Sequence, residues 1–164
     1  PPELLDWLYR FSSSNWITLK ESAFQGHFAD WKNELTAMCK GDWIFQIDAD
    51  EIPNLVLIKQ LPDILDLNEN VDIMLVPRVN TVEGLTEEHI KKWGWRVNDK
   101  GWVNHPDAQG RIYKKGMSWY GKVHERILGG QKFSSLPTDD EEYCIQHHKT
   151  IERQEKQNNL YNSL

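Results

Sequence analysis

Residues 43–51 have the sequence Trp-Ile-Phe-Gln-Ile-Asp-Ala-Asp-Glu, in which an apolar run ends abruptly in acidic residues. The run from Trp43 to Ile47 is β-prone and almost wholly apolar, which is typical of a strand that is covered on both faces in an α/β sheet. The carboxylates that follow would lie at the carboxyl end of this strand, where open α/β sheets bind their ligands. The sequence therefore predicts an α/β fold with a ligand site at Asp48 and Asp50.

Segments of helical and strand character alternate on both sides of this run. Apolar residues at helical spacing predict helices at 1–11 and 27–40, and the stretch 53–67 is predicted to be helical with an interruption at Pro62. Short apolar runs predict strands at 16–19, 71–79, 102–104, 111–114 and 143–146. We expect one domain over 1–164, with an α/β half at 1–79, a loop-rich half at 80–149 and a polar helical tail at 150–164.

Composition and charge exclude several classes of function. The 164 residues fit one compact domain, and a net charge of −6 gives no global positive field that would hold a nucleic-acid backbone. No apolar run approaches the roughly 18–20 residues of a membrane span, so we expect a soluble, cytoplasmic protein without a span in this chain. Cys39 and Cys144 are expected to be free thiols. Because the sequence starts at Pro1 rather than Met, we expect that it was cut from a longer chain.

The acidic run predicts a divalent cation. Asp48, Asp50 and Glu51 repel one another unless a cation neutralises them, and a hard divalent ion accepts such oxygen ligands. The alternative is a solvated acidic turn that caps the following helix. His147 and His148 follow a predicted strand, so one ring points to each face, and one of them could join Asp50 around manganese or a similar ion. The alternative for this pair is a hydrogen-bonded, half-buried strand end.

Residues 119–125 combine groups that are common in active sites. Trp119 offers an aromatic platform, and His124 and Glu125 add an imidazole and a carboxylate close to a glycine that allows close approach. Gln109 and Arg111, just upstream, add hydrogen-bonding groups, and Arg111 suits a phosphate or a carboxylate. The alternatives are a strand with alternating exposed charges and, for Arg111, an ordinary surface ion pair.

Two further pairs contain lysine. Lys32 and Asn33 lie on the helix predicted at 27–40, from which they could reach a phosphate or a sugar. Lys91 and Lys92 are expected on a mobile loop with a solvated face.

Three stretches together carry a resemblance to a known family. They are Gly-His-Phe-Ala-Asp-Trp-Lys-Asn-Glu at 26–34, Gly-Asp-Trp-Ile-Phe-Gln-Ile-Asp-Ala-Asp-Glu-Ile-Pro at 41–53 and Trp-Tyr-Gly-Lys-Val-His-Glu at 119–125. In order and spacing the chain resembles, from about residue 26 to residue 149, the family 2 glycosyltransferases of the GT-A fold. The resemblance implies a mostly parallel, Rossmann-like sheet flanked by helices, a nucleotide-sugar donor, a divalent metal and inversion at the anomeric carbon.

The resemblance also implies roles for the residues at the acidic loop. Asp48 is similar to the carboxylate near the donor ribose and the metal, and Asp50 is similar to the direct metal ligand, with manganese or magnesium as the ion. His147 resembles the late histidine that completes the metal site, although His148 beside it leaves that choice open. The donor, a UDP-sugar by expectation, is assigned to Lys32, Asn33 and Asp48.

The same resemblance assigns the acceptor side. Glu125 is similar to the general base that takes the proton from the acceptor hydroxyl, and His124 and Asp107 are weaker candidates. The acceptor is expected to be a glycan, a lipid-linked molecule or a protein. Its binding residues are expected to be Trp119, Gln109 and Arg111.

The chain departs from the family pattern at its start. Family members begin with a strand and an acidic loop that hold the nucleotide base, and the sequence before Trp16 has no such apolar strand and loop, so an N-terminally truncated domain is expected. Two alternative functions remain. One is a non-catalytic, carbohydrate-binding fragment of such an enzyme, and the other is a metal-dependent phosphoesterase that uses Asp48, Asp50, His147 and His148.

Overall fold

The structure, a computed structural model, describes residues 2–12 and 16–164 and has a mixed α/β architecture. Its helices are α1 (Pro2–Ser12), α2 (Phe28–Met38), α3 (Leu55–Leu67), α4 (Glu87–Trp93) and α5 (Ile151–Ser163), with a short 3₁₀ helix at Glu141–Tyr143. Its strands are β1 (Trp43–Phe45), β2 (Glu51–Pro53), β3 (Ile73–Val76), β4 (Arg78–Glu83), β5 (Gln109–Lys114), β6 (Ser118–Tyr120), β7 (Arg126–Leu128), β8 (Phe133–Ser135) and β9 (Ile145–Thr150). The predicted α/β class is therefore confirmed.

The strands form three small sheets rather than one large one. The first has the order β1-β5-β3-β8, the second has the order β2-β9-β4, and β6 and β7 form a hairpin. Within the described residues, β3 and β8 run parallel, as do β4 and β9, and the remaining pairs are antiparallel. The predicted mostly parallel sheet is wrong, because β5 inserts between β1 and β3 in the opposite direction. Both sheets contain strands from residues 1–79 and from residues 80–149, so the two predicted halves share them.

The four-stranded sheet is covered on both faces, as predicted for the run at 43–47. Successive residues of β3 alternate between two cores, since Ile73 belongs to the core on the α2 side and Met74 to the core on the α3 side. In β1, Ile44 points to the α2 side, where it meets Ala29 and Tyr113. The α3 side contains Leu57, Ile64, Met74, Val76, Ile112, Leu136 and Ile145.

The chain passes from the first sheet to the second at two places. After β1 it crosses through residues 46–50 and enters β2, and after β3 it crosses at Pro77 and enters β4. The strand predicted at 71–79 is therefore two strands, because proline has no N–H to continue the ladder. The Pro77 carbonyl instead accepts a hydrogen bond from the Ile145 N–H at 2.9 Å. The acidic loop thus lies at the seam between the two sheets.

Several local predictions need correction. The helix at 55–67 continues through Pro62, because Leu57 and Ile64 anchor it in the core on both sides of the proline. Residues 16–19 form no strand, and Trp16 is 93% exposed. Of the strand predicted at 102–104, the structure has a single bridge between Val103 and Val97.

Two further boundaries differ from the predictions. A helix, α4, replaces the loop predicted around residues 91 and 92, and the Thr86 hydroxyl caps it by accepting from the His89 N–H. The strand predicted at 143–146 begins at Ile145, after the 3₁₀ helix. The helices predicted at the two chain ends are present as α1 and α5, and residue 1 lies outside the described part.

Both cysteines are free, as predicted. Cys144 is buried, and burial raises the pKa of its thiol to about 11, so it is an inert core residue. Among the helices in residues 2–12 and 16–164, none has the length and apolar character needed to cross a membrane.

Candidate functional site

A cleft of about 830 Å³ opens at the seam between the two sheets. Ten of the residues that the sequence nominates line it, namely Lys32, Asp48, Asp50, Asp107, Gln109, Arg111, Trp119, His124, Glu125 and His147, whereas Asn33 and His148 do not. Asn33 faces the β6 backbone instead. Residues far apart in sequence therefore meet in one cavity, because the loop after β1, the start of β5, one face of β9 and the loop of the β6–β7 hairpin all border it.

Asp48 is held by two cations. The Arg111 guanidinium donates to Asp48 Oδ2 at 2.9 Å, and Lys32 Nζ lies 3.2 Å from Asp48 Oδ1. Burial alone would raise the pKa of Asp48, but the positive charges of Arg111 and Lys32 outweigh it and keep that pKa below its usual range. Asp48 is therefore an ionised, oriented carboxylate.

Glu51 is the buried centre of the charge network beneath the loop, and sequence reasoning did not assign it a role there. Its side chain is fully buried, and its Oε1 accepts from Arg111 at 2.5 Å and from Arg78 at 2.9 Å. Its Oε2 accepts from the Asp48 N–H at 3.0 Å, which fixes the loop backbone. Among the described residues, Arg111 Nε is a buried donor that lacks a hydrogen-bond partner. Arg111 is thus a buried structural cation at the cleft floor and not the exposed ion pair considered from sequence.

A hydrogen-bonded chain runs from β4 to His147. Arg78 donates to Asp107 Oδ2, and the Asn80 Nδ2 donates to the same oxygen at 2.9 Å. Gln109 donates to Asp107 Oδ1 at 2.7 Å. Burial alone would raise the pKa of Asp107, but Arg78 and these two amides hold it below its usual range. Asp107, a weaker candidate for the base, is therefore a fixed acceptor in this chain.

His147 is oriented toward Asp50 by Asn80. Because Asn80 Nδ2 donates to Asp107, its Oδ1 faces the ring and accepts from His147 Nδ1 at 2.6 Å. This leaves His147 Nε2 facing Asp50 Oδ2 at 3.4 Å. Such an oriented imidazole is typical of metal-binding histidines, whose other nitrogen donates to an acceptor of the protein. Nε2 can carry a proton toward Asp50 or coordinate a cation beside it, but not both.

His148 points to the opposite side of β9. Its Nδ1 lies 2.8 Å from the Thr81 hydroxyl and its side chain is 64% exposed. Of the two adjacent histidines, His147 is therefore the one that lines the cleft. His147 and His148 cannot bind ions in one shared site, because consecutive residues of a strand point to opposite faces.

Asp50 is the most strongly perturbed carboxyl of the cleft. The hydrogen bond from His147 lowers its pKa well below the usual range, burial opposes this, and the positive charges of Lys149 and Arg153 lower it further. Arg153 lies 3.2 Å from Asp50 Oδ2. Asp50 supplies an oxygen ligand of the kind that manganese and magnesium take, and His147 supplies a nitrogen ligand that a transition metal such as manganese accepts more readily than magnesium does; the ligand's own oxygens and water would complete the coordination. Within residues 2–12 and 16–164, no cluster of three or more His, Cys, Asp or Glu side chains could hold a metal ion by itself.

Glu125 enters the cleft on the loop of the β6–β7 hairpin. Gly121 starts this loop with φ of +108°, and a Cβ there would lie 3.4 Å from the Glu125 Cα, so the turn requires glycine. Lys32 Nζ lies 2.5 Å from Glu125 Oε1, and the Glu125 side chain is 14% exposed. His124 is exposed, and its ring packs edge-on against Tyr161 at 5.4 Å between centroids. Lys32 therefore bridges the donor-side carboxylate Asp48 and the acceptor-side carboxylate.

Trp119 and Asn33 have structural contacts. Trp119 is 6% exposed, and its indole N–H donates to the Tyr113 hydroxyl at 3.0 Å. Asn33 holds the Trp119 backbone by donating to its carbonyl at 2.9 Å and accepting from its N–H at 2.7 Å. Both ends of the Asn33 amide are thus occupied, which argues against donor binding by this side chain. Trp119 reaches the cleft with little of its surface, so acceptor binding there stays a prediction.

The C-terminal helix α5 forms a wall of the cleft, which sequence reasoning missed when it predicted only a polar tail. The wall consists of Gln154, Gln157, Asn158 and Tyr161. Gln154 donates to Asn158 at 2.9 Å and Gln157 donates to the Tyr161 hydroxyl at 2.7 Å. The signal in the sequence is their spacing, since positions i, i+3, i+4 and i+7 share one helix face and here carry polar groups.

Comparison with known proteins gives no information on the function of the cleft, so the interpretation depends on the side chains that line it. No family model matches the chain, and no curated protein matches its sequence.

Proposed function

We propose that this chain is a metal-dependent, inverting glycosyltransferase domain that moves a sugar from a nucleotide-sugar donor to a hydroxyl acceptor. One observation carries the proposal. Asp48 and Glu125 face each other across the Lys32 ammonium, in the same cleft as the Asp50–His147 pair. An electrophile on the Asp48 side and a hydroxyl on the Glu125 side would therefore be adjacent.

The donor side consists of Asp48, Asp50 and His147. Asp50 and His147 would hold manganese or magnesium, which when bound would neutralise the charge that develops on the departing nucleoside diphosphate. Asp48 is fixed by Arg111 and by its own backbone contact to Glu51, so it can accept hydrogen bonds from a donor hydroxyl without reorganising. Asn80 keeps the His147 ring in its orientation.

The acceptor side depends on Glu125. One carboxylate oxygen is paired with Lys32, and the other can take the proton from the acceptor hydroxyl. As that proton leaves, the acceptor oxygen bonds to the anomeric carbon and the bond from that carbon to the diphosphate oxygen breaks, with the electron pair staying on the diphosphate. A single displacement of this kind inverts the anomeric configuration. Lys32 keeps the base in position, and His124 lies next to it at the rim.

A second candidate function is carbohydrate binding without turnover. The observation that favours it is that protein cations already pair with both key carboxylates, Lys32 with Glu125 and Arg153 with Asp50. A phosphoesterase that needs both adjacent histidines gains no such support, because His148 bonds Thr81 on the other side of β9.

The test combines a binding and a transfer measurement on the full chain. UDP binding is measured by calorimetry in manganese and in chelator, and sugar release and transfer are followed with a panel of UDP-sugars and oligosaccharide acceptors. Asp50→Asn should abolish the manganese-dependent part of UDP binding. Glu125→Gln should leave UDP binding intact and lower transfer by about 10²–10⁴-fold, which is the usual contribution of a general base.

Glu83→Gln is the matched control, because Glu83 is an exposed carboxylate on the outer face of β4. It should bind and transfer like the wild type. Unchanged transfer in Glu125→Gln would refute its role as the base. Manganese-dependent UDP binding without transfer from any donor would instead favour the second candidate.

A further inference from the structure

Lys149 is a buried cation whose surroundings lack a paired anion. It is 7% exposed and lies on the same face of β9 as His147, two residues away. Its ammonium donates to Gln157 Oε1 on α5. In the part of the chain that the structure describes, no carboxylate oxygen lies within 4.0 Å of it. A buried ammonium without a close counterion is costly, because burial disfavours its charged form.

Arg153 supplies a second cation, which contacts the cleft residue Asp50 although it is not itself part of the cleft lining. It lies in the first turn of α5, and its guanidinium is 3.2 Å from Asp50 Oδ2. Its side chain is 59% exposed, so it can turn from that carboxylate to a nearby ligand oxygen without moving the backbone. Both Lys149 and Arg153 act electrostatically on Asp50, so one carboxylate faces two positive charges. This end of the cleft therefore carries an excess of positive charge in an acidic chain.

The face of α5 beside these cations is built from amides rather than apolar side chains. Gln154, Gln157 and Asn158 line the cleft, and the Gln157 carbonyl oxygen orients the Lys149 ammonium. A helix that packs only for stability turns apolar residues inward. Amide groups such as those of Gln154 and Asn158 can instead donate to the oxygens of a polar ligand and accept from its hydroxyl groups.

We propose that Lys149 and Arg153 form a binding site for the pyrophosphate group of a ligand, with the amide face of α5 as its wall. The inference rests on the proposed function in one respect, since a nucleotide-sugar donor presents such a group beside Asp50. Guanidinium groups bind phosphate oxygens in a bidentate manner and ammonium groups bind them as point charges. Neither residue was assigned to donor binding from the sequence.

The experiment titrates the full chain with inorganic pyrophosphate in chelator, so that no divalent cation contributes. UDP and uridine are titrated in parallel, because uridine lacks the phosphates. The variants are Lys149→Met and Arg153→Gln. Lys156→Gln is the control, since Lys156 is an exposed cation of α5 that, unlike Arg153, makes no ion pair with a cleft carboxylate in the described part of the chain.

We expect wild-type and Lys156→Gln chains to bind pyrophosphate and UDP alike and uridine weakly. Lys149→Met should weaken pyrophosphate binding about tenfold or more, and Arg153→Gln about threefold to tenfold, as is usual for the loss of one charge-assisted contact. Neither variant should change uridine binding. Circular dichroism and thermal unfolding verify the fold of Lys149→Met, and Arg153→Gln provides a readout at an exposed position.

Two results would overturn the inference. One is a wild-type chain that does not bind pyrophosphate, and the other is pyrophosphate affinity unchanged in folded variants of both residues. These outcomes are separable from the fate of the proposed function. If both variants transfer sugar and bind the donor with unchanged affinity, the glycosyltransferase function is supported and the pyrophosphate site is refuted. If pyrophosphate binding depends on Lys149 but the chain transfers no sugar, the pyrophosphate site is supported and the glycosyltransferase function is refuted.

Discussion

Replacing Glu51 with Gln would remove one negative charge from beneath the acidic loop while keeping the shape of the side chain. In the wild type, Glu51 is fully buried between Arg78 and Arg111, and it also accepts the Asp48 N–H. After the change, Arg111 keeps Asp48 and Arg78 keeps Asp107 as partners. The variant therefore loses the shared carboxylate but leaves neither guanidinium without a counterion.

The cost follows from these contacts. Removing one partner of a buried ion pair typically costs about 3–5 kcal/mol, and the remaining carboxylates place this case near the lower end, at about 3 kcal/mol. Part of this cost comes from the hydrogen bond of the Asp48 N–H, which in the variant would face either the amide nitrogen of Gln or its neutral carbonyl oxygen, a weaker acceptor than a carboxylate. With a urea m-value of about 2 kcal/mol/M, the unfolding midpoint should fall by about 1.5 M.

Urea unfolding followed by far-ultraviolet circular dichroism measures this change, provided that the m-value is the same in both proteins. Glu34→Gln is the matched control, because Glu34 also pairs with a basic side chain, Lys20, but at the surface, where both side chains are nearly half exposed. Its midpoint should equal that of the wild type. A shift below about 0.5 M in Glu51→Gln would refute the view that this carboxylate holds the cleft floor together.

Three further predictions concern the surroundings of the site. Burial raises the pKa of Asp107, but the contacts with Arg78, Asn80 and Gln109 lower it by more, so the folded-state pKa lies below the unfolded value of 3.8. The contribution of Asp107 to stability is therefore present above pH 3.8 and is lost as the pH falls below that value. Asp107→Asn should therefore flatten the decline in unfolding free energy between about pH 5 and pH 3, and equal slopes in urea titrations would contradict this. Asn33→Ala removes both side-chain hydrogen bonds to the Trp119 backbone and should cost about 1–3 kcal/mol in the same assay, whereas an unchanged midpoint would argue against this anchor. Gly121→Ala and Gly101→Ala both place a side chain at positive φ, and each should cost about 1–2 kcal/mol of stability. Of the two new Cβ atoms, only the one at residue 121 contacts Glu125, so only Gly121→Ala should shift the Glu125 amide resonance.

The sequence predicted the acidic loop because the signals for it are local. A short apolar run followed by carboxylates describes a strand and its end, and both lie within ten residues. The direction of the neighbouring strand is not local, because β1 pairs with β5, whose residues lie more than sixty positions away. Nothing in the pattern of residues 43–47 distinguishes a parallel from an antiparallel neighbour, which is why the mostly parallel sheet was wrong.

Charge repulsion in the acidic loop led to the prediction of a divalent cation, which stays a prediction, and a sequence does not say which cations lie nearby in the fold. In the structure, Arg111 and Lys32 neutralise Asp48, and Arg78 shares Glu51 with Arg111. A guanidinium on a distant strand and a metal ion satisfy the same electrostatic requirement. Only the fold shows whether a guanidinium lies close enough to take the place of a metal ion. Metal binding by this chain is therefore part of the proposed function.

The contribution of α5 was missed for a different reason. A polar helix with few apolar anchors resembles a frayed tail when it is judged by hydrophobicity alone. Here its inner face packs through amides and a tyrosine against a polar cleft, so the usual apolar stripe is absent.

The alternation of side chains along β9 limits how this chain can vary in length. His147 is paired on one side with Glu51 of β2 and on the other with Asn80 of β4, so two neighbouring strands fix its position. Deletion or insertion of one residue within β9 would turn His148 toward the cleft and carry both His147 and Lys149 to the outer face. A designer who shortens or extends the protein should therefore work in the irregular residues 137–140, where a change of one residue leaves the strand's alternation intact.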